Sequence, residues 1–283
     1  MEQTTNKIAK EFNFWSLARF AFPTLVMSLF MSIFKTIDDG LFVSNYVGKD
    51  ALSAINIVWP LTMIVFGVGM MLATGCSAVA AIKIGNGRPE EAKSDFTAMT
   101  LFGIVFGCII AAIGLLFRDP LLHLFGATEM LMEDCKTYAT IIFLAMPISM
   151  ITPIFGFFYV TAGKPTMGLV SAILNGTMNI VFDYIFIVQL QMGVVGAALA
   201  TVLGDLSICI LGLVFYWNKK HEIHFAKPTK KWIPLLGRVS GAGVAQFANH
   251  VAMGVSAFIS NLVMLRIVGE DGIAAYAILG YLQ

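Results

Sequence analysis

The sequence predicts an all-α integral membrane protein. Hydrophobic residues make up 58% of the chain and charged residues 12%, whereas a soluble domain carries about 25% charged residues. Apolar runs of about 20 residues recur, which is the length at which a helix crosses a bilayer. Strict alternation of apolar and polar residues is absent, which argues against a barrel. This composition predicts a lipid bilayer as partner. Because the net charge is only +1, we expect no nucleic acid as partner.

A polar leader, residues 1–13, precedes two predicted membrane spans at residues 14–43 and 52–82. The first apolar run is long enough to remain as a span, so no cleaved signal is predicted. Glycine and proline in the loop 84–92 separate these spans from a third at residues 96–117.

The connection 118–136 contains a short amphipathic piece, and a fourth span follows at residues 137–160. Pro147 and Pro153 lie inside this span and are expected to bend it. The tight Gly/Pro loop 161–165 ends it.

A fifth and a sixth span, residues 167–188 and 192–216, lead into a basic loop, residues 217–234. A seventh span covers residues 235–268, and residues 273–283 begin an eighth. The four cysteines show no CxxC spacing, so neither a disulfide framework nor a metal site is predicted.

Lysine and arginine predict the orientation of the spans. Thirteen of the 18 lie on the side of the leader, four lie on the opposite side, and Lys35 lies inside the first span. Cytoplasmic loops carry the excess of basic residues. We therefore expect a multi-pass membrane protein with a cytoplasmic N-terminus.

An internal repeat predicts two related units. The segment V-G-K-D-A-L-S-A at residues 47–54 and the segment V-G-E-D-G-I-A-A at residues 268–275 share four of eight positions. Each follows an odd-numbered span, so the units are expected to be parallel. We predict a six-helix N-terminal lobe at residues 14–216 and the start of a second lobe at residues 235–283. Two complete units need roughly 440 residues, so the chain is expected to be a fragment that lacks most of its second lobe.

A polar stripe crosses the fifth span. Asn175, Asn179 and Asp183 are four residues apart and share one helix face. An ionisable side chain at membrane depth costs about 2.5–3.5 kcal/mol on insertion scales and is by default a functional hypothesis. We assign Asp183 with Asn179 to function and Asn175 to helix packing.

Two other polar residues are predicted at the same depth in the bilayer as this stripe. Counted from the outer ends of their spans, Asp39, Asp183 and Thr201 all fall in the outer half of the bilayer. With Asn179 they offer two carboxylates, a carboxamide and a hydroxyl, which could bind Na⁺ or share a proton and could load and release either cation. The alternative is that each group only bonds a neighbouring helix.

Three further sets of residues leave alternatives open. Lys35 can pair with Asp38 and lower its burial cost, or it can compete with a transported cation. Asp205, one turn beyond Thr201, can relay protons or pack. His221 and His224 have the spacing of a metal pair but lack a third ligand, so no metal beyond Na⁺ is predicted.

Several motifs resemble the multidrug and toxic compound extrusion (MATE) transporters. These motifs are I-D-D-G-L-F-V at residues 37–43, I-G-N-G-R-P-E-E-A at 84–92, G-K-P at 163–165, N-I-V-F-D-Y-I-F-I at 179–187 and G-V-V-G-A-A-L-A-T at 193–201. The resemblance implies a twelve-helix antiporter of two six-helix lobes. Such a transporter rocks between outward-open and inward-open states and exports organic cations or other drugs in exchange for Na⁺ or H⁺.

Carried over residue by residue, the resemblance places the cation site on Asp39, Asn179, Asp183 and Thr201, with Tyr138 beside it. It implies small amphipathic or cationic substrates, no cofactor beyond the coupling ion, no enzymatic activity and a monomer at full length. Two alternatives remain. A lipid-linked saccharide flippase of the same superfamily should show a strongly cationic cavity, and an intramembrane enzyme would need an acid near a residue such as His250.

Overall fold

The structure is a computed structural model that describes residues 15, 22, 25, 26 and 45–280, with side chains up to residue 277. Its longer elements are all helices: α1 Lys49–Gly85, α2 Pro89–Leu116, α3 Arg118–Leu124, α4 Met132–Thr161, α5 Pro165–Asp183, α6 Gly193–Trp217, α7 Trp232–Ile267 and α8 Glu270–Gly280. A π-helical segment, Tyr184–Gln189, continues α5.

Six of the described helices are long and apolar enough to cross a membrane, namely α1, α2, α4, α5 with its π-helical segment, α6 and α7. They coincide with the second to seventh predicted spans, which confirms the all-α membrane fold. The short amphipathic piece predicted in the connection 118–136 is the helix α3. The helix α4 has 30 residues and contains Pro147 and Pro153, and the bend expected from them stays a prediction.

The two copies of the repeated segment have the same local structure. Gly48 precedes α1 with φ 109° and Gly269 precedes α8 with φ 85°, a backbone conformation that glycine adopts readily. The two helix starts also meet, because Lys49 Nζ lies 2.7 Å from Asp271 Oδ1. Nearby, the Ser53 hydroxyl donates to the Glu270 carbonyl at 3.2 Å.

The helices α1 and α7 pack antiparallel along most of their length, and we call this interface the seam. At one end Asn56 Nδ2 donates to Asn261 Oδ1 at 2.9 Å, and Asn261 Nδ2 donates to the Asn56 carbonyl at 2.8 Å. Towards the other end, Gly75 lies against the Val239 carbonyl, and Gly243 lies against the Met71 carbonyl. Glycine at these positions allows backbone to approach backbone, as at other membrane helix interfaces.

A cluster of aromatic side chains joins α2, α4 and α6. Phe96 lies 4.6 Å from Phe158 and 4.7 Å from Tyr216, measured between ring centroids. The Tyr216 hydroxyl donates to the Phe155 carbonyl at 2.8 Å. Aromatic pairs stabilise by about 0.5–1.5 kcal/mol beyond their burial, so this cluster fixes the three helices around the polar residues described next.

Candidate functional site

The polar stripe of α5 faces α6, and its acid is fully buried. Asp183 is 0% exposed and Asn179 is 7% exposed. On α6, the residue opposite the stripe is Gly204, where a Cβ atom would lie 3.2 Å from Asn175 Nδ2 and 3.4 Å from Asn179 Cβ. The glycine therefore gives the two carboxamides room to pack against α6.

Asp183 lies where the α-helix becomes a π-helix. It is the last residue of α5, and the π-helical segment begins at Tyr184. The segment packs closely on α6, since a Cβ atom at Gly196 would lie 3.1 Å from Phe186 Cβ. The buried carboxylate thus lies at the junction between the α-helix and the π-helical segment that ends the span.

A second intramembrane acid, Asp205, is held by neighbours on two other helices. The Ser149 hydroxyl of α4 donates to Asp205 Oδ2 at 2.7 Å. The side chain of Asn175 on α5 also interacts with this carboxylate. Asn175, predicted to bond a neighbouring helix, thus lies between the α5 stripe and Asp205 of α6.

Asp205 lines a cavity of about 220 Å³ between α1, α4 and α6. Two other sequence-predicted residues, Thr201 and Tyr138, line it as well. The Thr201 hydroxyl donates to the Ala197 carbonyl at 3.1 Å, so its oxygen can still accept a hydrogen bond. The remaining described lining is the hydroxyl residues Ser149 and Thr62 together with the aromatic and apolar residues Trp59, Met63, Phe66, Ile142, Met146 and Met150.

The structure therefore places the predicted site residues in two groups. Thr201, Tyr138 and Asp205 surround the cavity, whereas Asn179 and Asp183 are not among its described lining residues. The prediction that Asp39 faces Asp183 stays a prediction, because Asp39 lies outside the described residues, as do Lys35 and Asp38.

Sequence reasoning missed Ser149. A hydroxyl inside the apolar fourth span is a weak signal, because serine in a membrane helix often bonds its own backbone. The role of Ser149 becomes visible only in the folded structure, where α4 packs beside α6 and the Ser149 hydroxyl donates to the Asp205 carboxylate.

His221 and His224 have structural contacts. The His221 ring stacks on Phe215 with centroids 3.9 Å apart, and His224 Nδ1 lies 3.0 Å from the His221 carbonyl oxygen. Burial lowers the pKa of His221. In the part of the chain that the structure describes, no group of three or more metal-binding side chains occurs.

Comparisons with known proteins give a consistent result. The MatE family pattern matches residues 23–185. The multidrug export protein MepA of Staphylococcus aureus (strain bovine RF122 / ET3-1) is 24% identical over 271 residues, covering 94% of this chain and 58% of that protein. MepA of Staphylococcus haemolyticus (strain JCSC1435) is 27% identical over 272 residues, with the same coverage. The chain thus spans 58% of the length of these curated relatives.

Solved structures show the same fold. The MATE multidrug transporter DinF-BH superposes with a TM-score of 0.89 at 23% identity, over 100% of this chain and 63% of that one. An inward-facing MATE transporter of the MOP superfamily gives 0.82 at 22% identity, over 93% of this chain and 60% of that one. An outward-facing MATE transporter of the MOP superfamily superposes with a TM-score of 0.80 at 23% identity, over 92% of this chain and 58% of that one.

Proposed function

Because the chain belongs to the MatE family, we propose that the transporter built on it exports amphipathic or cationic organic compounds in exchange for Na⁺ or H⁺. It would work by alternating access in the bacterial inner membrane, with its N-terminus in the cytoplasm. The relatives and structural neighbours named as multidrug exporters or transporters support this proposal.

The cavity beside Asp205 is the observation that carries the proposal. Methionine side chains adapt to varied apolar shapes, and aromatic faces such as those of Trp59 and Phe66 attract organic cations. The Asp205 carboxylate would balance the charge of such a cation. At about 220 Å³ the cavity is smaller than the roughly 300–1,000 Å³ of drug-binding pockets, so it would hold one end of a drug-sized substrate.

The coupling ion would bind at Asp183. An ionised carboxylate that is 0% exposed inside a membrane span is costly, so a bound H⁺ or Na⁺ would stabilise it. The Asn179 carboxamide on the preceding turn supplies a further oxygen. Asp39 would complete the site, together with Thr201, which also lines the cavity beside Asp205.

The helix α5 would link ion and substrate. It carries Asp183 near one end and Asn175 two turns away, and Asn175 interacts with the Asp205 carboxylate of the cavity. A change at Asp183 that shifts α5 would therefore change the cavity lining. Binding of the ion would favour one conformation, and binding of the substrate would favour the other.

Efflux in cells tests the proposal. We expect that cells expressing the gene for this chain at its full length accumulate less ethidium than control cells. The Asp183→Asn variant should lose this effect at equal expression. The exposed carboxylate Glu129 provides a matched control, because Glu129→Gln should retain efflux. Unchanged efflux in Asp183→Asn would show that Asp183 does not bind the coupling ion.

The identity of the ion requires purified protein. In proteoliposomes, a Na⁺ gradient and a pH gradient are imposed separately, and ethidium movement is followed. Only the coupled ion should drive movement of ethidium. If neither gradient drives it, the antiport mechanism is wrong even if the efflux in cells persists.

A further inference from the structure

A second and larger crevice, of about 540 Å³, lies far from the cavity beside Asp205. The last turns of α1, the first turns of α2 and α7, and the chain between α6 and α7 form its walls. Four basic side chains line it, namely Lys83, Arg88, Lys231 and Arg238. The crevice therefore lies between the adjoining ends of α1 and α2 and the start of α7.

The acids of the crevice are paired with lysines of the same region. Lys83 Nζ lies 2.6 Å from Asp95 Oδ2 and 3.2 Å from Glu91 Oε2. Lys93 Nζ lies 2.6 Å from Glu90 Oε1. The two lysines offset two of the three carboxylate charges, and Arg88, whose Nη1 lies 3.6 Å from Glu91 Oε1, offsets the third.

The remaining cations are available to an anionic ligand. Arg88 has only a long contact of 3.6 Å between its Nη1 and Glu91 Oε1. Among the described residues, no carboxylate forms an ion pair with Lys231 or Arg238. Arg238 Nε donates to the Pro234 carbonyl at 3.4 Å and acts on Glu91 only from beyond ion-pair distance. The crevice therefore holds unbalanced positive charge.

The chain between α6 and α7, residues 218–231, is held in a fixed position beside the crevice. The Ser94 hydroxyl donates to the Lys227 carbonyl at 2.8 Å, and the Ala226 amide donates to the Thr97 hydroxyl at 3.0 Å. The Phe225 ring stacks on Phe96 with centroids 5.3 Å apart. These contacts leave five lysines exposed: Lys219, Lys220, Lys227, Lys230 and Lys231.

Two tryptophans place this region at the membrane surface. Trp217 at the end of α6 is 78% exposed, and Trp232 at the start of α7 is 49% exposed. Exposed tryptophans at the ends of membrane helices lie at the level of the lipid headgroups. The crevice is therefore at the depth where a phospholipid phosphate would reach it.

We propose that this crevice binds the phosphate headgroup of an anionic phospholipid. Lys231 and Arg238 are the side chains that contact the phosphate, Arg88 lies at the edge, and the exposed lysines attract the anionic leaflet. Basic pockets between membrane helices on the cytoplasmic side recognise such headgroups. The bound lipid would hold α7 against α1 and α2, on the side where the lysines and arginines predict the cytoplasm.

Thermal unfolding with added lipid tests this proposal. The purified, delipidated chain in detergent is titrated with phosphatidylglycerol, with phosphatidylcholine, or with inorganic phosphate. We expect saturable stabilisation by phosphatidylglycerol and not by phosphatidylcholine. Each basic contact to an anionic lipid surface contributes roughly fivefold in affinity, so Lys231→Gln with Arg238→Gln should weaken binding about 30-fold.

Arg266→Gln serves as the matched control, since Arg266 is exposed in the last turn of α7, at the end opposite the crevice, and is not among the crevice lining. This variant should keep at least half of the wild-type affinity, because the changed side chain lies far from the phosphate along the helix. Equal stabilisation by both lipids, or equal weakening in the control and the double variant, would overturn the proposal. Stabilisation by millimolar phosphate equal to that by phosphatidylglycerol would also overturn the lipid assignment and leave a site for free phosphate. Native mass spectrometry of lipid-loaded protein, which should retain phosphatidylglycerol in the wild type but not in the double variant, gives a readout independent of unfolding.

Discussion

Replacing Gly243 by alanine should separate the two helices of the seam. A Cβ atom at this position would lie 2.0 Å from the Met71 carbonyl oxygen, 2.8 Å from its carbon and 3.0 Å from the Met71 Cα. Ordinary contacts of a Cβ atom begin near 3.4 Å. The obstacle is backbone, which cannot rotate away as a side chain does, so α1 and α7 must move apart by about an ångström.

The cost follows from this displacement. Overpacking a tightly packed interior costs typically about 1–3 kcal/mol, and we expect the upper half of that range because the nearby Gly75 contact with Val239 is lost as well. For chains of roughly this size, each kcal/mol shifts the melting temperature by about 2–4 °C. Gly243→Ala should therefore melt about 4–12 °C below the unchanged chain.

The chain's own cysteines provide the assay. Cys76, Cys135 and Cys209 are buried, whereas Cys108 is exposed. A thiol-reactive fluorophore should label the three buried thiols only as the protein unfolds. The labelling curve in detergent then reports the melting temperature.

Gly241 on the same helix is the matched control. It is exposed, and no atom lies within 4 Å of a Cβ built there. Because alanine favours a helix over glycine by about 1 kcal/mol, Gly241→Ala should melt at or above the temperature of the unchanged chain. If Gly243→Ala and Gly241→Ala melt within about one or two degrees of each other, the close approach of α1 and α7 is refuted.

Other contacts lead to three further predictions for the same assay. Asn261→Ala should lower the free energy of unfolding by about 1–3 kcal/mol, because the Asn56 groups lose their hydrogen-bond partners. The double variant with Asn56→Ala should lose less free energy of unfolding than the sum of the two single variants. Lys83→Met leaves the Asp95 carboxylate, 4% exposed, without its cation and should cost about 3–5 kcal/mol; adding Asp95→Leu should recover most of this loss, and no recovery would contradict a paired role. Asp119 accepts hydrogen bonds from a lysine and an arginine, which lower its pKa. Its contribution to stability should therefore be present above about pH 4 and be lost as pH falls through the lowered pKa. The difference in melting temperature from Asp119→Asn should shrink in acid, and a constant difference would exclude this linkage.

The spans can be predicted from composition, but their ends cannot. Hydropathy predicts the third span at residues 96–117, whereas α2 runs from Pro89 to Leu116. Its first turn contains Glu90 and Glu91, which hydropathy scores as loop although acids favour the start of a helix. The bilayer sets the length of the apolar core, and the proline and the two acids of the first turn extend the helix beyond it.

The candidate site can be predicted only in part, because a helix pattern shows one face and not its partner. Periodicity identifies Asp183 and Asn179 as polar positions that share a face. It cannot show that Asn175 interacts with Asp205, nor that Ser149 donates to it, because these residues belong to three different helices. The change from α-helix to π-helix after Asp183 cannot be predicted from the sequence either, because the same apolar residues are compatible with both helix types.

The seam also has a consequence for the synthesis of the protein. Asn56 and its partner Asn261 are separated by 205 residues, so α1 is made long before α7. At about 5–20 residues per second, α7 follows α1 after about 10–40 s. During that interval the glycine-lined face of α1 and the Asn56 carboxamide lack the surface that later covers them. We therefore expect α1 to depend on lipid headgroups or on the insertion machinery until α7 arrives.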